Sequence, residues 1–417
     1  MSTPFEMQPI YRYTLPPGLT SLVRVRTLPN ARCTVRADAD GLSPSLLAYA
    51  DPDGFVELHV RPSGEHESPA RMTVEADAEG ETAQHVLELR PSREPTEQMP
   101  SPPAAGARWR PPAGAQVRPA LSLDESLGLA DDELLQRGYP PRPDAELAPS
   151  AFNTWRRTVS APITFVEPRT VSRPDITHAG RARVSNPPES APNWSGFELR
   201  GAAGTYDWVT GEWVVPSVTG ESNSTTYSSF WIGLDGDGTT DLVQAGTEQE
   251  NVNFSFFGIS WSFSTYYAWT QFLPQQQTEQ QVTNFSVHPG DEIFCQVFVA
   301  DAGQMPSLTG FFGQFVIMNQ TTSTTTWSYT PRGTTNVGGS EAEWIMERPT
   351  VNGGLPDLAD YGSARMSNAV ARKVAGGYVG YQGATNEQIT MFNGNDILST
   401  VSAIDAVTMQ FKWQAFH

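Results

Sequence analysis

Short strands fill the last part of the chain, residues 191–417, and they constrain its fold more than any other feature. Bulky apolar runs at residues 212–215, 230–233 and 293–299 recur between turn signals. No long helical periodicity interrupts these runs, and a sheet of such strands needs a second layer to cover its apolar face. We therefore predict an all-β domain, a sandwich of two antiparallel sheets.

The first 92 residues predict a smaller β domain. Alternation with a period of two marks residues 22–26, 55–60 and 85–89, and turn signals separate them. A small Ig-like β-sandwich is the expected fold of this region. Proline-rich sequence then predicts a linker over residues 93–119, because repeated prolines disfavour packed structure.

Residues 120–190 form a connector that is predicted to contain two short helices followed by extended chain. One helix is expected to run from Leu121 to a stop at Gly138. The second is expected over residues 150–160, where Trp155 belongs to an apolar stripe with helical spacing.

The later part of the connector, residues 150–188, and the last domain carry charges of opposite sign. Residues 150–188 contain six arginines and two acidic residues, whereas residues 193–417 contain seven basic and 21 acidic residues. Two interpretations of the connector stay open. It is a prosegment or lid that lies along the acidic domain and is released when acid protonates the carboxylates. Alternatively, it is a plain linker with a short helix packed on the sandwich.

The composition argues against several classes of partner and site. The formal net charge of −19 disfavours nucleic acid, since phosphate binding needs clustered Lys and Arg. No apolar run approaches the ~18 residues of a membrane span, and the N-terminal sequence shows no signal-peptide pattern. With only Cys33 and Cys295, a disulfide framework and a Cys-based zinc site are excluded.

Two short motifs carry the side chains best suited to chemistry. Residues 242–246 (LVQAG) contain Gln244, and residues 342–347 (AEWIME) place Glu343 among bulky apolar residues. A carboxylate can take and return a proton, and a primary amide can donate to a developing oxyanion. This pair could therefore hydrolyse an amide. A histidine-based triad is disfavoured because the last domain holds only two histidines.

The glutamate spacing leaves other interpretations open. Side chains alternate along a strand, so Glu341, Glu343 and Glu347 would share one face. On an edge strand they would simply be solvated. Glu341 and Glu343 would also lie roughly 6–7 Å apart, a separation suited to a glycosidase pair in a carbohydrate-binding or carbohydrate-hydrolysing sandwich. A catalytically silent binding module is a further alternative.

Five motifs in order resemble one family. They lie at residues 193–196 (NWSG), 211–216 (GEWVVP), 230–236 (FWIGLDG), 242–246 and 342–347. Together they resemble the glutamic peptidases, or eqolisins, over residues 193–417. The resemblance implies a concanavalin-like β-sandwich and endopeptidase activity on polypeptides at acid pH. It also implies a Gln/Glu dyad, here Gln244 and Glu343, that uses no metal or cofactor.

The resemblance also implies roles for the residues around this dyad. Substrate-binding positions fall on Trp194, Trp231, Asp235, Trp269, Phe272 and Glu347. Glu343 is preferred to Glu347 as the catalytic carboxylate because of its Ala-Glu-Trp context. We expect a monomer, and acid proteolysis favours a location outside the cytosol.

Overall fold

The computed structural model divides the chain into two compact units that are mostly β-strand. Unit 1 comprises Met1–Ala113, Val218–Thr226 and Gln249–Thr265, and unit 2 comprises Gly114–Ser217, Tyr227–Glu248 and Tyr266–His417. The residues that the structure describes are 10–37, 45–64, 69–91, 115–182, 190–256, 259–300, 312–329, 337–383 and 385–417. The predicted proline-rich linker lies almost entirely outside them.

Unit 1 contains two β-sheets around one core. Its N-terminal strands are β1 (Ile10–Leu15), β2 (Ser21–Arg26), β3 (Arg32–Ala37), β4 (Ser45–Tyr49), β5 (Phe55–Pro62), β6 (Ala70–Ala78) and β7 (Glu81–Pro91). One sheet has the order β1-β7-β6-β3-β4, with only the β1–β7 pair parallel. The other pairs β2 with β5. Both sheets bury side chains in the same core, Val25 and Leu58 from one and Cys33 and Val74 from the other, which confirms the small sandwich.

The core of unit 1 also draws on residues far along the chain. The stretch from Trp261 to Ser264 pairs antiparallel with β5. Val252, Phe254 and Phe263 are buried in the same core as the N-terminal strands. Because side chains alternate along a strand, Val252 and Phe254 point to the same face, and this apolar face packs in the core of unit 1. The sequence had assigned these residues to the domain at 191–417.

Unit 2 holds most of the remaining strands, some of which also contribute residues to unit 1. They are β8 (Gln116–Arg118), β9 (Ile163–Val166), β10 (Thr170–Arg173), β11 (Ile176–Thr177), β12 (Ser190–Ala191), β13 (Trp194–Arg200), β14 (Tyr206–Val214), β15 (Thr225–Leu234), β16 (Leu242–Phe256), β17 (Ile259–Leu273), β18 (Glu279–Ser286), β19 (Glu292–Ala300), β20 (Phe312–Asn319), β21 (Thr324–Tyr329), β22 (Glu341–Glu347), β23 (Thr350–Val351), β24 (Asp357–Leu358), β25 (Ser363–Lys373), β26 (Tyr378–Gly380), β27 (Asn386–Asn393), β28 (Asp396–Asp405) and β29 (Thr408–Trp413).

These strands form two layers, as the sequence predicted. The first sheet has the order β10-β18-β17-β16-β15-β22-β13-β27. The second has the order β8-β9-β21-β20-β19-β14-β25-β29-β28. Phe230 of the first sheet packs against Trp213 and Phe411 of the second. The Trp344 indole N–H also crosses the core and donates to the carbonyl of Thr210 at 2.8 Å.

The connector contains three helices among its described residues, whereas two were predicted. The helix expected from Leu121 is divided into α1 (Leu123–Gly128) and α2 (Asp131–Gln136). Leu129 is extended between them, and the Glu133 carboxylate accepts from the backbone N–H of Ala130 at 3.0 Å, which starts α2. The third helix, α3 (Pro149–Val159), matches the predicted second helix closely.

Two compositional predictions concern the cysteines and membrane-spanning helices. Cys33 and Cys295 are free and buried, as expected of small apolar side chains. In the part of the chain that the structure describes, none of the helices has the length and apolar character needed to cross a membrane.

Candidate active site

Residues that lie opposite one another on neighbouring strands form a row across the first sheet of unit 2. This row contains both predicted catalytic side chains. Gly233 of β15 lies opposite Glu343 of β22, which lies opposite Glu198 of β13. On the other side of Gly233, a Cβ atom would lie 3.3 Å from the Cβ of Gln244 in β16. Opposed residues share a face, so Gln244 and Glu343 point to the same side, two strand spacings or about 10 Å apart.

Gln244 and Glu343 are fully buried and keep unpaired oxygens. Within the described residues, neither Glu343 carboxylate oxygen nor Gln244 Oε1 has a hydrogen-bond partner. Burial, reinforced by the charges of Glu198 and Glu341, holds the pKa of the Glu343 carboxyl well above its usual range. Buried polar atoms normally find partners, so these unpaired atoms mark a site for chemistry.

A segment of the connector, residues 176–182, lies on this face and will be called the cleft segment. The amide N–H of His178 donates to Gln271 Oε1 at 3.0 Å, and its carbonyl accepts from Gln244 Nε2 at 2.9 Å. The side-chain amide of Gln244, the donor expected to stabilise an oxyanion, therefore already donates to a peptide carbonyl. This contact joins positions 66 residues apart in the sequence.

The imidazole of His178 fills a buried acidic pocket beside the row. Its Nδ1 lies 3.0 Å from Glu347 Oε2, and its Nε2 lies 2.8 Å from Glu279 Oε2 and 4.0 Å from Glu248 Oε2. The ring stacks on Trp269 with 3.6 Å between centroids and 5° between planes. Burial lowers the pKa of His178, but the carboxylates outweigh it and raise the pKa to about 9. The ring is therefore an imidazolium with two N–H donors.

The other end of the cleft segment is held by a second acidic cluster. Arg181 Nη1 lies 2.7 Å from Glu387, 3.0 Å from Asp237 and 3.5 Å from Glu198. Arg200 pairs with the same three carboxylates. Burial and the nearby Asp237 raise the pKa of Glu198 to about 9, while Arg200 and Arg181 act in the opposite direction.

Three of the predicted substrate-binding aromatics come together beside the dyad. Trp194, Trp231 and Trp269 belong to one buried cluster. Trp194 and Trp231 meet edge to face at 5.0 Å. Glu347 lies with them and accepts from Trp231 Nε1 at 2.7 Å. Burial raises the pKa of Glu347, while His178 acts in the opposite direction.

Asp235 and Phe272 are placed differently. The Asp235 carboxylate accepts from the backbone N–H groups of Gly339 and Ser340 at 2.6 and 2.7 Å, and so it fixes the turn before β22. Phe272 is buried, but it alternates with Gln271 along β17 and therefore points to the face away from the dyad.

Some residues of the site were not singled out from the sequence, and they differ in how far they could have been inferred. Gln271 could have been inferred, because it lies two positions after Trp269 and shares its face. His178 is the one histidine in the sequence of the connector and belongs to no motif, and Glu279 also lies outside every motif. His178, Glu248 and Glu279 are close enough together to hold a metal ion. In this structure the imidazolium itself neutralises the carboxylates.

The model of one known family matches more than half of the chain. The model of the peptidase A4 family matches residues 192–413. Aspergillopepsin-2 of Aspergillus niger is 28% identical over 245 residues, which cover 54% of this chain and 78% of that protein. Two crystal structures of scytalido-glutamic peptidase, one with a peptide-based transition state analog and one with a transition state analog inhibitor, are 20% and 19% identical. Each match covers 54% of this chain and 98% of the other, with a TM-score of 0.42. The chain belongs to the peptidase A4 family and is a glutamic endopeptidase.

Proposed function

We propose that this endopeptidase cleaves peptide bonds in acid with Gln244 and Glu343 as its catalytic dyad. The observation that carries the proposal is the hydrogen bond from Gln244 Nε2 to the backbone carbonyl of His178, 2.9 Å long. Glu343 lies on the same face, with a glycine position between the two side chains. A peptide carbonyl is thus bound by an amide donor on the face that also carries Glu343, whose carboxyl group has no hydrogen-bond partner among the described residues.

The chemistry follows from these two side chains. Glu343 in its carboxylate form takes a proton from a water molecule whose oxygen attacks the scissile carbonyl carbon. The Gln244 N–H stabilises the oxyanion that forms. Glu343 then returns the proton to the leaving nitrogen as the C–N bond breaks. A glutamate side chain can act as both base and acid only where its carboxylate and its protonated form are both populated. This requirement favours activity at acid pH over activity at neutral pH.

The cleft segment supports a second part of the proposal, that the connector is a prosegment. Its residue His178 lies against Gln244, and Glu343 on the same face is buried, which raises the pKa of the base and keeps it protonated. In acid, protonation of carboxylates around the cleft segment weakens its attachment. The segment then loosens, and water reaches Glu343 while the His178 carbonyl can still bind Gln244. The closed chain is therefore latent, and acid opens it.

The dyad is tested by substitution in the full-length chain. Gln244→Ala should lower kcat for denatured casein at about pH 4 by roughly 10²–10³-fold, the usual effect of losing one oxyanion donor. Glu343→Gln should abolish activity. Glu341→Gln is the matched control, because Glu341 lies on the same face of the same strand. Near-wild-type activity in Glu343→Gln, with an unchanged circular dichroism spectrum, would remove the assignment.

The prosegment is tested separately by N-terminal sequencing after incubation in acid. A cut between residues 150 and 192 that accompanies the rise in activity is the expected result. An intact connector with undiminished activity would contradict it.

A further inference from the structure

The residue whose carbonyl rests on Gln244 is a histidine, and its pocket matches an imidazolium in shape and charge. Trp269 supplies a flat surface at 3.6 Å. Glu347 and Glu279 meet the two ring nitrogens from different sides, at 3.0 and 2.8 Å. A neutral imidazole has one N–H, so both contacts can be donated only by the protonated ring. The pocket therefore recognises a planar group with two opposed donors.

Other side chains satisfy this pocket less well. Phenylalanine and tyrosine can stack on Trp269, but they offer no donor to Glu279 and Glu347, which stay buried without a cation. Lysine concentrates its donors on one atom and has no ring to stack. The arginine guanidinium is planar but lies farther from the backbone than an imidazole ring. Histidine alone combines the stacking surface, the depth and the two donors.

The chain just after His178 also fits the site closely. At Gly180, a Cβ atom would overlap the carbonyl oxygen of Gly236, so a side chain is excluded there. Arg181 donates its backbone N–H to the same carbonyl at 3.0 Å and places its guanidinium in the acidic cluster. The segment thus presents the order His-Ala-Gly-Arg to matched subsites on both sides of one peptide bond.

We propose that the pocket of Trp269, Glu279 and Glu347 selects histidine on the acyl side of the scissile bond. The first such bond to be cut is His178–Ala179 of the chain itself. This inference rests on the proposed function, since the carbonyl held by Gln244 must be the scissile one. Glycine at the second position and arginine at the third position after the bond are the accompanying preferences.

The cleavage is an ordinary hydrolysis and needs no further reactant. The oxygen of water bonds to the carbonyl carbon of His178, and the bond from that carbon to the nitrogen of Ala179 breaks. One proton of the water passes through Glu343 to the leaving nitrogen. The products are a carboxyl group at His178 and an amine at Ala179.

The selectivity is measured with two quenched peptides on the full-length chain at about pH 4. One contains Ile-Thr-His-Ala-Gly-Arg, the sequence of residues 176–181, and the other has Phe in place of His. We expect kcat/KM to be about 10- to 100-fold higher for the histidine peptide, as for loss of charge-assisted hydrogen bonds. Glu279→Gln should reduce this ratio about tenfold. Glu387→Gln, which alters only the arginine subsite, should leave the ratio unchanged.

The chain's own bond is followed by mass spectrometry of the intact protein during acid incubation. A fragment that begins at Ala179 is expected, and Glu343→Gln should not produce it. Cleavage of both peptides at equal rates, an unchanged ratio in Glu279→Gln, or a first cut at another bond would overturn the inference and leave the dyad standing. Failure of the wild-type chain to hydrolyse any peptide in acid would overturn both.

Discussion

Replacing His178 with alanine should release the cleft segment from the site at neutral pH. The pKa of His178 rises from 6.5 to about 9 in the docked state, which corresponds to about 3 kcal/mol of preferential docking of the imidazolium. At pH 7 a free histidine is mostly neutral, and about 2.5 kcal/mol of this docking free energy remains. Removing it should increase the undocked fraction roughly 50- to 100-fold.

The undocked fraction is measured by cleavage after Arg181 with an arginine-specific protease. Arg181 is buried in the docked segment, so the segment must leave before the protease can act. When redocking is fast, the cleavage rate follows the open population. The assay uses a Glu343→Gln background, which stops the chain from cutting itself. His178→Ala should therefore be cut roughly 50- to 100-fold faster than the parent at pH 7.

The pH dependence gives a second, independent check. The docked pKa of His178 lies above the free value. While its carboxylate partners stay charged, the stabilisation is complete near pH 6.5 and is lost as the pH rises through about 9. The parent should thus become easier to cut between pH 7 and about 9.5, and His178→Ala should change much less. His288→Ala is the matched control, because His288 lies in a turn beside Asp291. A His178→Ala rate within about threefold of the parent, or a flat parent profile, would refute the reasoning.

Three further predictions concern the dyad, the segment and the stability of the chain. Gly180→Ala should also release the cleft segment, with cleavage after Arg181 at least about fivefold faster, since its methyl group overlaps the Gly236 carbonyl. Gly233→Ala should lower kcat at least about tenfold and also lower the unfolding temperature, because its Cβ would lie 2.9 Å from the buried Trp231 ring and 3.3 Å from the Cβ of Gln244. The folded pKa of Glu198, about 9, lies above its ordinary value of 4.5. Its contribution to stability is therefore complete below about pH 4.5 and lost towards pH 9. Calorimetry should show a higher unfolding midpoint at about pH 4.5 than at pH 8, with a smaller difference in Glu198→Gln; the reverse order would contradict this.

Local pattern was sufficient for the class of fold and for many of its elements. The period-2 alternation of strands such as β2, β5 and β7 is a property of a few adjacent residues, and it is visible without tertiary contacts. The helix expected from Leu121 was divided in two because Glu133 starts a new helix at Ala130. Capping of this kind depends on one side-chain hydrogen bond, which periodicity does not record.

The candidate dyad could also be predicted, but only from motifs in context. Gln244 and Glu343 were singled out by short motifs in a fixed order, and the structure places them on one face. Phe272 shows the limit of motif reading, because a one-residue difference in position along a strand moves a side chain to the opposite face.

What the sequence by itself determined is therefore the all-β architecture, the family and the two side chains proposed for catalysis. Tertiary structure alone decided that His178 lies between Glu347 and Glu279, partners 169 and 101 residues away. It also decided that the carbonyl of His178 rests on Gln244. Alternation and capping are encoded by neighbours in the chain, whereas strand order, register and the pocket around an imidazolium depend on long-range pairing. That pairing is what brings residues 176–182 of the connector into the candidate active site as a bound peptide.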